Sequence, residues 1–138
     1  WDSTNCSLRI LQGHKNRIHS VALSPDGRIA VSGSSDGTIR IWNTLSGLCV
    51  RVLKGHEHGV LSVAQSLDQR HIVSGGVDET LRIWDSQTGI CSKVAKEHKF
   101  WVSSVALTSD DRQIASVSHD KTLRIWDAQN GECLRGLS

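Results

Sequence analysis

The chain repeats itself. "SGSSDGTIRIWN" at Ser32–Asn43 returns as "SGGVDETLRIWD" at Ser74–Asp85 and as "SVSHDKTLRIWD" at Ser116–Asp127. Trp1, Trp42, Trp84 and Trp126 stand 41, 42 and 42 residues apart. "SVA" recurs at Ser20–Ala22, Ser62–Ala64 and Ser104–Ala106. His14, His56 and His98 each lie 28 residues before a tryptophan; Ser32, Ser74 and Ser116 lie ten before it, and Asp36, Asp78 and Asp120 six before it. A repeat of this length is one supersecondary unit that cannot bury its apolar surface alone, so the copies must stack on one another.

Each copy reads as four short strands separated by turn residues. In the first, Ile18–Ser24 runs into the turn "SPDG", Arg28–Gly33 into "SSDG", Thr38–Trp42 into "NTLSG", and Leu48–Leu53 closes the unit. The second and third copies follow, with hairpin turns expected near Asp68–Gln69 and Asp110–Asp111. Val, Ile, Leu and Thr dominate the strands, and their polar–apolar alternation is blurred. That blurring suits sheets buried on both faces. No window sustains a helical period. The class is therefore all-β.

Composition narrows the function. The hydrophobic share of 38% and charged share of 22% fit a globular protein, and no run of about eighteen apolar residues signals a membrane span. No charged-apolar-small leader is recognisable. A net charge of +2 gives no electrostatic case for nucleic acid, and Lys54, Lys93, Lys96 and Lys99 are scattered as surface lysines usually are. The chain opens on Trp1-Asp2 and has no methionine, so it is expected to be a segment of something longer.

The Gly-His pairs Gly13-His14 and Gly55-His56, the turn aspartates and the closing Trp-Asp resemble the WD-repeat (WD40) β-propeller family over essentially the whole chain. Glu97 departs from the pattern before His98, and Asn43 departs after Trp42. The resemblance implies three four-stranded antiparallel blades in one repeat region, 1–138. Residues 1–12 would form the outer strand of a preceding blade, with that strand at 7–11; the repeats would be 13–54, 55–96 and 97–138.

The fixed spacing of Ser, His, Asp and Trp then has a physical reading. A buried indole N–H on the third strand needs an acceptor, which a serine on the second strand can supply. The serine hydroxyl can donate to histidine, and the histidine's other N–H can donate to the turn aspartate. A fully partnered chain of this kind stabilises a fold. It resembles the family's structural tetrad, which maps onto His14, Ser32, Asp36 and Trp42; His56, Ser74, Asp78 and Trp84; and His98, Ser116, Asp120 and Trp126. The same residue types could suggest a Ser-His-Asp hydrolase. Three equivalent copies, each with a tryptophan attached, and no Gly-x-Ser-x-Gly elbow argue against catalysis.

Other constellations reduce to simpler roles. Cys49, Cys91 and Cys133 each follow a tryptophan by seven residues. They share one repeated position, which places them beyond the roughly 4.4–6.8 Å Cα range of a disulfide; Cys6 is out of register by one. Free thiols point to a reducing, intracellular setting, cytoplasmic or nuclear. His56-x-His58 lacks a third ligand, so no metal is expected. "GSSDG" lacks the Lys-Ser/Thr and helix of a phosphate loop. No cofactor is implied.

A propeller closes with about 4–8 blades. Three blades therefore form part of a larger ring, pair with a second copy as a six-bladed dimer, or remain an open fragment. Function follows the resemblance: a non-catalytic scaffold for a protein or peptide partner, with an accessory domain of a multidomain enzyme such as an ATPase, or a self-assembling fragment, as the alternatives. The family's top-face positions map to Arg17, His19 and Ser35; to Gly59, Leu61 and Val77; and to Trp101, Ser103 and His119. These differ from repeat to repeat, and none belongs to the repeated framework. Arg17 and Trp101 are the residue types that anchor interfaces.

Overall fold

The structure, a computed structural model, describes residues 10–138. It contains three antiparallel sheets of four strands, each strand beside its sequence neighbour. The first holds β1 (Ile18–Leu23), β2 (Ile29–Ser34), β3 (Thr38–Asn43) and β4 (Cys49–Lys54). The second holds β5 (Val60–Gln65), β6 (His71–Gly76), β7 (Leu81–Asp85) and β8 (Cys91–Ala95). The third holds β9 (Val102–Leu107), β10 (Gln113–Ser118), β11 (Leu123–Asp127) and β12 (Cys133–Leu137). The outer strand expected at 7–11 falls largely outside the described residues, and Ile10 and Leu11 belong to no strand.

Side-chain chemistry sets the turns. At the β1–β2 hairpin the Ser24 hydroxyl donates to Asp26, whose carboxylate also accepts the Arg28 N–H. Ser66 with Asp68 and Arg70, and Thr108 with Asp110 and Arg112, repeat this arrangement. At the β7–β8 turn Asp85 accepts the N–H groups of Gln87 and Thr88, and at the β11–β12 turn Asp127 accepts those of Gln129 and Asn130. Asn43 does the same for Leu45 and Ser46 through its amide oxygen. An acceptor oxygen is all this turn requires, which is why the departure at Asn43 leaves it intact.

The sheets stack face to face. One apolar cluster joins Val31, Ile39, Ile41 and Leu53 of the first sheet to Val60, Val63, Ile72 and Trp84 of the second. A second joins Val73, Leu81 and Ile83 to Val102, Val105, Ile114 and Trp126. Burial on both faces of the middle sheet explains the blurred alternation in its sequence. Polar groups fasten both seams. The Ser20 hydroxyl oxygen accepts the Val63 N–H at 3.1 Å, and Ser62 accepts that of Val105 at 3.1 Å. Between the second and third sheets the Asp111 carboxylate also accepts the Leu67 N–H at 3.0 Å.

Close approach at the seams depends on two glycines. A Cβ on Gly33 would lie 2.7 Å from Val60 Cγ1, and one on Gly75 would lie 2.5 Å from Val102 Cγ1. Gly75→Ala is therefore expected to destabilise the protein by about 1–3 kcal/mol through overpacking. Gly136→Ala, whose nearest atom would be Arg124 Nη1 at 3.8 Å, should be neutral or mildly stabilising. Urea titrations of both variants check this contrast.

Candidate functional site

Each sheet carries one buried polar chain at the end where β1, β5 or β9 begins. In the first, Trp42 Nε1–H donates to Ser32 Oγ at 2.9 Å, Ser32 Oγ lies 2.7 Å from His14 Nε2, and His14 Nδ1 lies 3.0 Å from Asp36. The corresponding distances are 2.8, 2.6 and 2.9 Å through Trp84, Ser74, His56 and Asp78. They are 2.8, 2.7 and 2.9 Å through Trp126, Ser116, His98 and Asp120. Since each serine oxygen accepts from tryptophan, its own proton is free to go to histidine Nε2. Nδ1–H then donates to the carboxylate.

A fifth residue type joins the chain. Thr38, Thr80 and Thr122 donate from Oγ1 to Oδ1 of Asp36, Asp78 and Asp120 at 2.5, 2.7 and 2.5 Å. Their N–H groups reach the same carboxylates. A threonine two residues after each turn aspartate recurs in the sequence as "DGT", "DET" and "DKT", although the recurrence alone does not tell its contact. The Lys15, Glu57 and Lys99 N–H groups complete the cages.

These donors decide the charge of the aspartates. Burial pushes the Asp36 carboxyl up. The Thr38 hydroxyl, the Lys15 N–H and the His14 ring outweigh it and hold the group well below its ordinary 3.8. Asp78 is likewise pushed up by burial and brought down further by His56, Thr80 and the Glu57 N–H. Asp120 is brought down against burial by Thr122, the Lys99 N–H and His98.

The repeated arginines line this network and absorb its one irregularity. A Cβ on Gly13 would approach Arg40 Nη1 to 2.7 Å, and one on Gly55 would approach Trp84 Cη2 to 2.9 Å. In the third repeat Glu97 takes the glycine's place, and its carboxylate lies 3.6 Å from Arg124 Nη1. An ion pair thus accompanies the larger residue.

The nine variable positions rim the same end. The Ser35 N–H donates to the Arg17 carbonyl, the Val77 N–H to that of Gly59, and the His119 N–H to that of Trp101. Each incoming loop is so fixed to its own β-turn. Arg17, His19, Trp101 and His119 are exposed, whereas Ser35, Gly59, Leu61, Val77 and Ser103 are half-buried. The structure brings His19 Nε2 to the Ser35 hydroxyl and packs the Trp101 and His119 rings with centroids 5.4 Å apart. The Ser103 hydroxyl turns to the Val117 carbonyl. Phe100, which lies outside the variable positions that the repeats single out, is 52% exposed and meets Trp101 edge-on at 6.5 Å. Its signal was the adjacent pair "FW", where the other repeats have Asn16-Arg17 and His58-Gly59.

Among the described residues no three His, Cys, Asp or Glu side chains converge as a metal site. Cys49, Cys91 and Cys133 are free and begin the fourth strands; Cys6 lies outside the described residues. No described helix is long and apolar enough to cross a membrane.

Stacked four-stranded meanders joined by a repeated Trp-Ser-His-Asp chain define a β-propeller repeat protein. The model of the WD domain, G-beta repeat, matches residues 5–43, 47–85 and 89–127, and the chain belongs to that family. The second and third matches begin just ahead of β4 and β8 and end with β7 and β11. Each thus spans a seam between sheets.

Among curated relatives, the small ribosomal subunit protein RACK1y of Oryza sativa subsp. japonica is 46% identical over 48 residues, which is 34% of this chain and 14% of that protein. The periodic tryptophan protein 2 homolog of Mus musculus is 47% identical over 49 residues, 36% of this chain and 5% of that protein. The solved structure of U3-55K superposes with a TM-score of 0.89 at 27% identity, covering 94% of this chain and 41% of that one.

Two outcomes follow from the network. Ser74→Ala leaves the Trp84 N–H and the His56 Nε2 without a partner, so stability should fall by about 1–3 kcal/mol for each buried group, read from denaturant unfolding. Acidification should also destabilise. The three folded-state carboxyls sit below the ordinary 3.8, so the unfolded chain binds protons first as pH falls. Stability is then level above roughly pH 5 and declines below it. Asp78→Asn should flatten that decline, and unfolding series between pH 6 and 3 measure it.

Proposed function

We propose that this chain is a non-catalytic scaffold segment whose loop end, around Arg17, Trp101 and His119, receives a protein or peptide partner. The observation that carries this is the exposed aromatic cluster of Phe100, Trp101 and His119. It stands on a framework whose His, Ser, Asp and Trp recur in every repeat. The corresponding loops of the other repeats carry no aromatic ring but histidine, so the fold does not require one there. Exposed aromatics and arginine are the usual energetic anchors of interfaces.

The buried serines support the non-catalytic reading. Ser74 and Ser116 are fully buried, and each hydroxyl oxygen already accepts an indole N–H. A nucleophile needs an open line to its substrate, and these have none. The rice relative's name as a ribosomal subunit protein supports membership of an assembly. An intracellular setting, cytoplasmic or nuclear, agrees with three half-exposed thiols that remain unpaired.

The test is comparative capture from cell extract. The wild-type chain and an Arg17→Ala/Trp101→Ala variant serve as baits, with melting temperatures measured in parallel. The variant should lose about tenfold or more of the specifically retained protein while melting nearly unchanged, since interface anchors are each worth upwards of about 1 kcal/mol. Equal recovery by both baits would place the interaction elsewhere.

A further inference from the structure

The two seams inside the chain share one rule. On one side stands a glycine of the second strand, Gly33 or Gly75. On the other stand two valines of the next sheet's first strand, Val60 with Val63 or Val102 with Val105. A Cβ added to either glycine would come within 2.7 or 2.5 Å of the first valine of its pair. The valine methyls therefore occupy the space a side chain would need. A serine of the first strand, Ser20 or Ser62, accepts the N–H of the second valine.

The far face of the third sheet, open among the described residues, keeps the serine and breaks the glycine rule. Ser104, exposed, stands at the place of Ser20 and Ser62. Val117 stands at the place of Gly33 and Gly75, paired with Ser104 in the strand register as Gly33 is with Ser20. It is 43% exposed. The far face of the first sheet, open among the described residues, presents Ile18 and Val21, which correspond to Val60 and Val63 and are 53% and 64% exposed. Were a second copy to dock there by the internal rule, Ile18 would meet Val117. The junction would hold four more carbons than either internal seam, three from valine for glycine and one from isoleucine for valine. The chain's other first strands carry Val60 and Val102 at that place, which would still leave three carbons too many.

We infer that the open face of the third sheet is selective. It takes a four-stranded blade whose first strand carries a small residue, Gly, Ala or Ser, at the place of Val60 and an apolar residue three positions later. It refuses this chain's own first sheet. The Ser104 hydroxyl supplies the acceptor for that strand's N–H. A six-bladed ring of two copies, which blade counting alone would allow, is thereby disfavoured at both of its junctions.

The probe is this chain with Ile18→Ala, which presents a small residue at the required place. Self-association of wild type, Ile18→Ala, Val117→Gly and the double variant is measured by sedimentation, with circular dichroism confirming that each is folded. Either single substitution should tighten self-association by about tenfold or more, the equivalent of relieving an overpacked core contact. The double variant should gain less than the two singles combined, because it leaves the junction underfilled. Ile18→Ala keeps the test decisive if glycine at 117 weakens the strand. Wild type that associates as tightly as the single variants, or single variants that leave its sedimentation unchanged, would overturn the inference.

Discussion

The serine hydroxyl at the centre of each sheet connects everything else. It accepts the indole proton of the third strand and offers its own proton to the histidine of the incoming loop. The histidine in turn binds the aspartate of the next turn, and threonine and backbone N–H groups enclose that aspartate. The tryptophan is the largest side chain in each core, and its one polar atom would otherwise be stranded there. Satisfying it also decides where the loop lies, because the loop carries the histidine. The position of the loop rim is thus a consequence of how a buried indole is partnered.

The second constraint is stacking. A four-stranded meander of this kind has two apolar faces, and only a neighbouring sheet can cover them. The middle sheet has neighbours on both sides, and its central strand is buried almost throughout. Among the described residues the first sheet has one, and β1 shows Ile18, Val21 and Leu23 to solvent. The same residue pattern is therefore core in one repeat and surface in another. Seam glycines set how closely sheets approach, and a single valine at 117 changes what the next surface must look like.

Much of this was legible in the sequence because three copies check one another. Turn residues and the 42-residue period located all twelve described strands to within a residue or two. The candidate network was legible for the same reason, since each member recurs at a fixed distance from tryptophan. The misses have physical causes. The threonines looked like ordinary β-formers, and only the geometry shows their hydroxyls on the aspartates. Asp111 replaces a glycine of the first repeat and reads as turn residue, yet it bonds to a neighbouring sheet 44 residues away. Phe100 was hidden by comparing framework with framework. Seam complementarity could not be read at all, because it depends on which side chains meet between sheets.

The central claim is the direction of the hydrogen-bond chain, and it is open to direct observation. Nitrogen-15 spectra of histidine-labelled protein at pH 8 report which ring nitrogen carries the proton. His14, His56 and His98 should each show a protonated Nδ1, slow to exchange, and an Nε2 that accepts a hydrogen bond. Ser74→Ala should shift the Nε2 signal of His56 alone. Rings protonated at Nε2, or tautomers averaging as they do in free histidine, would contradict the account.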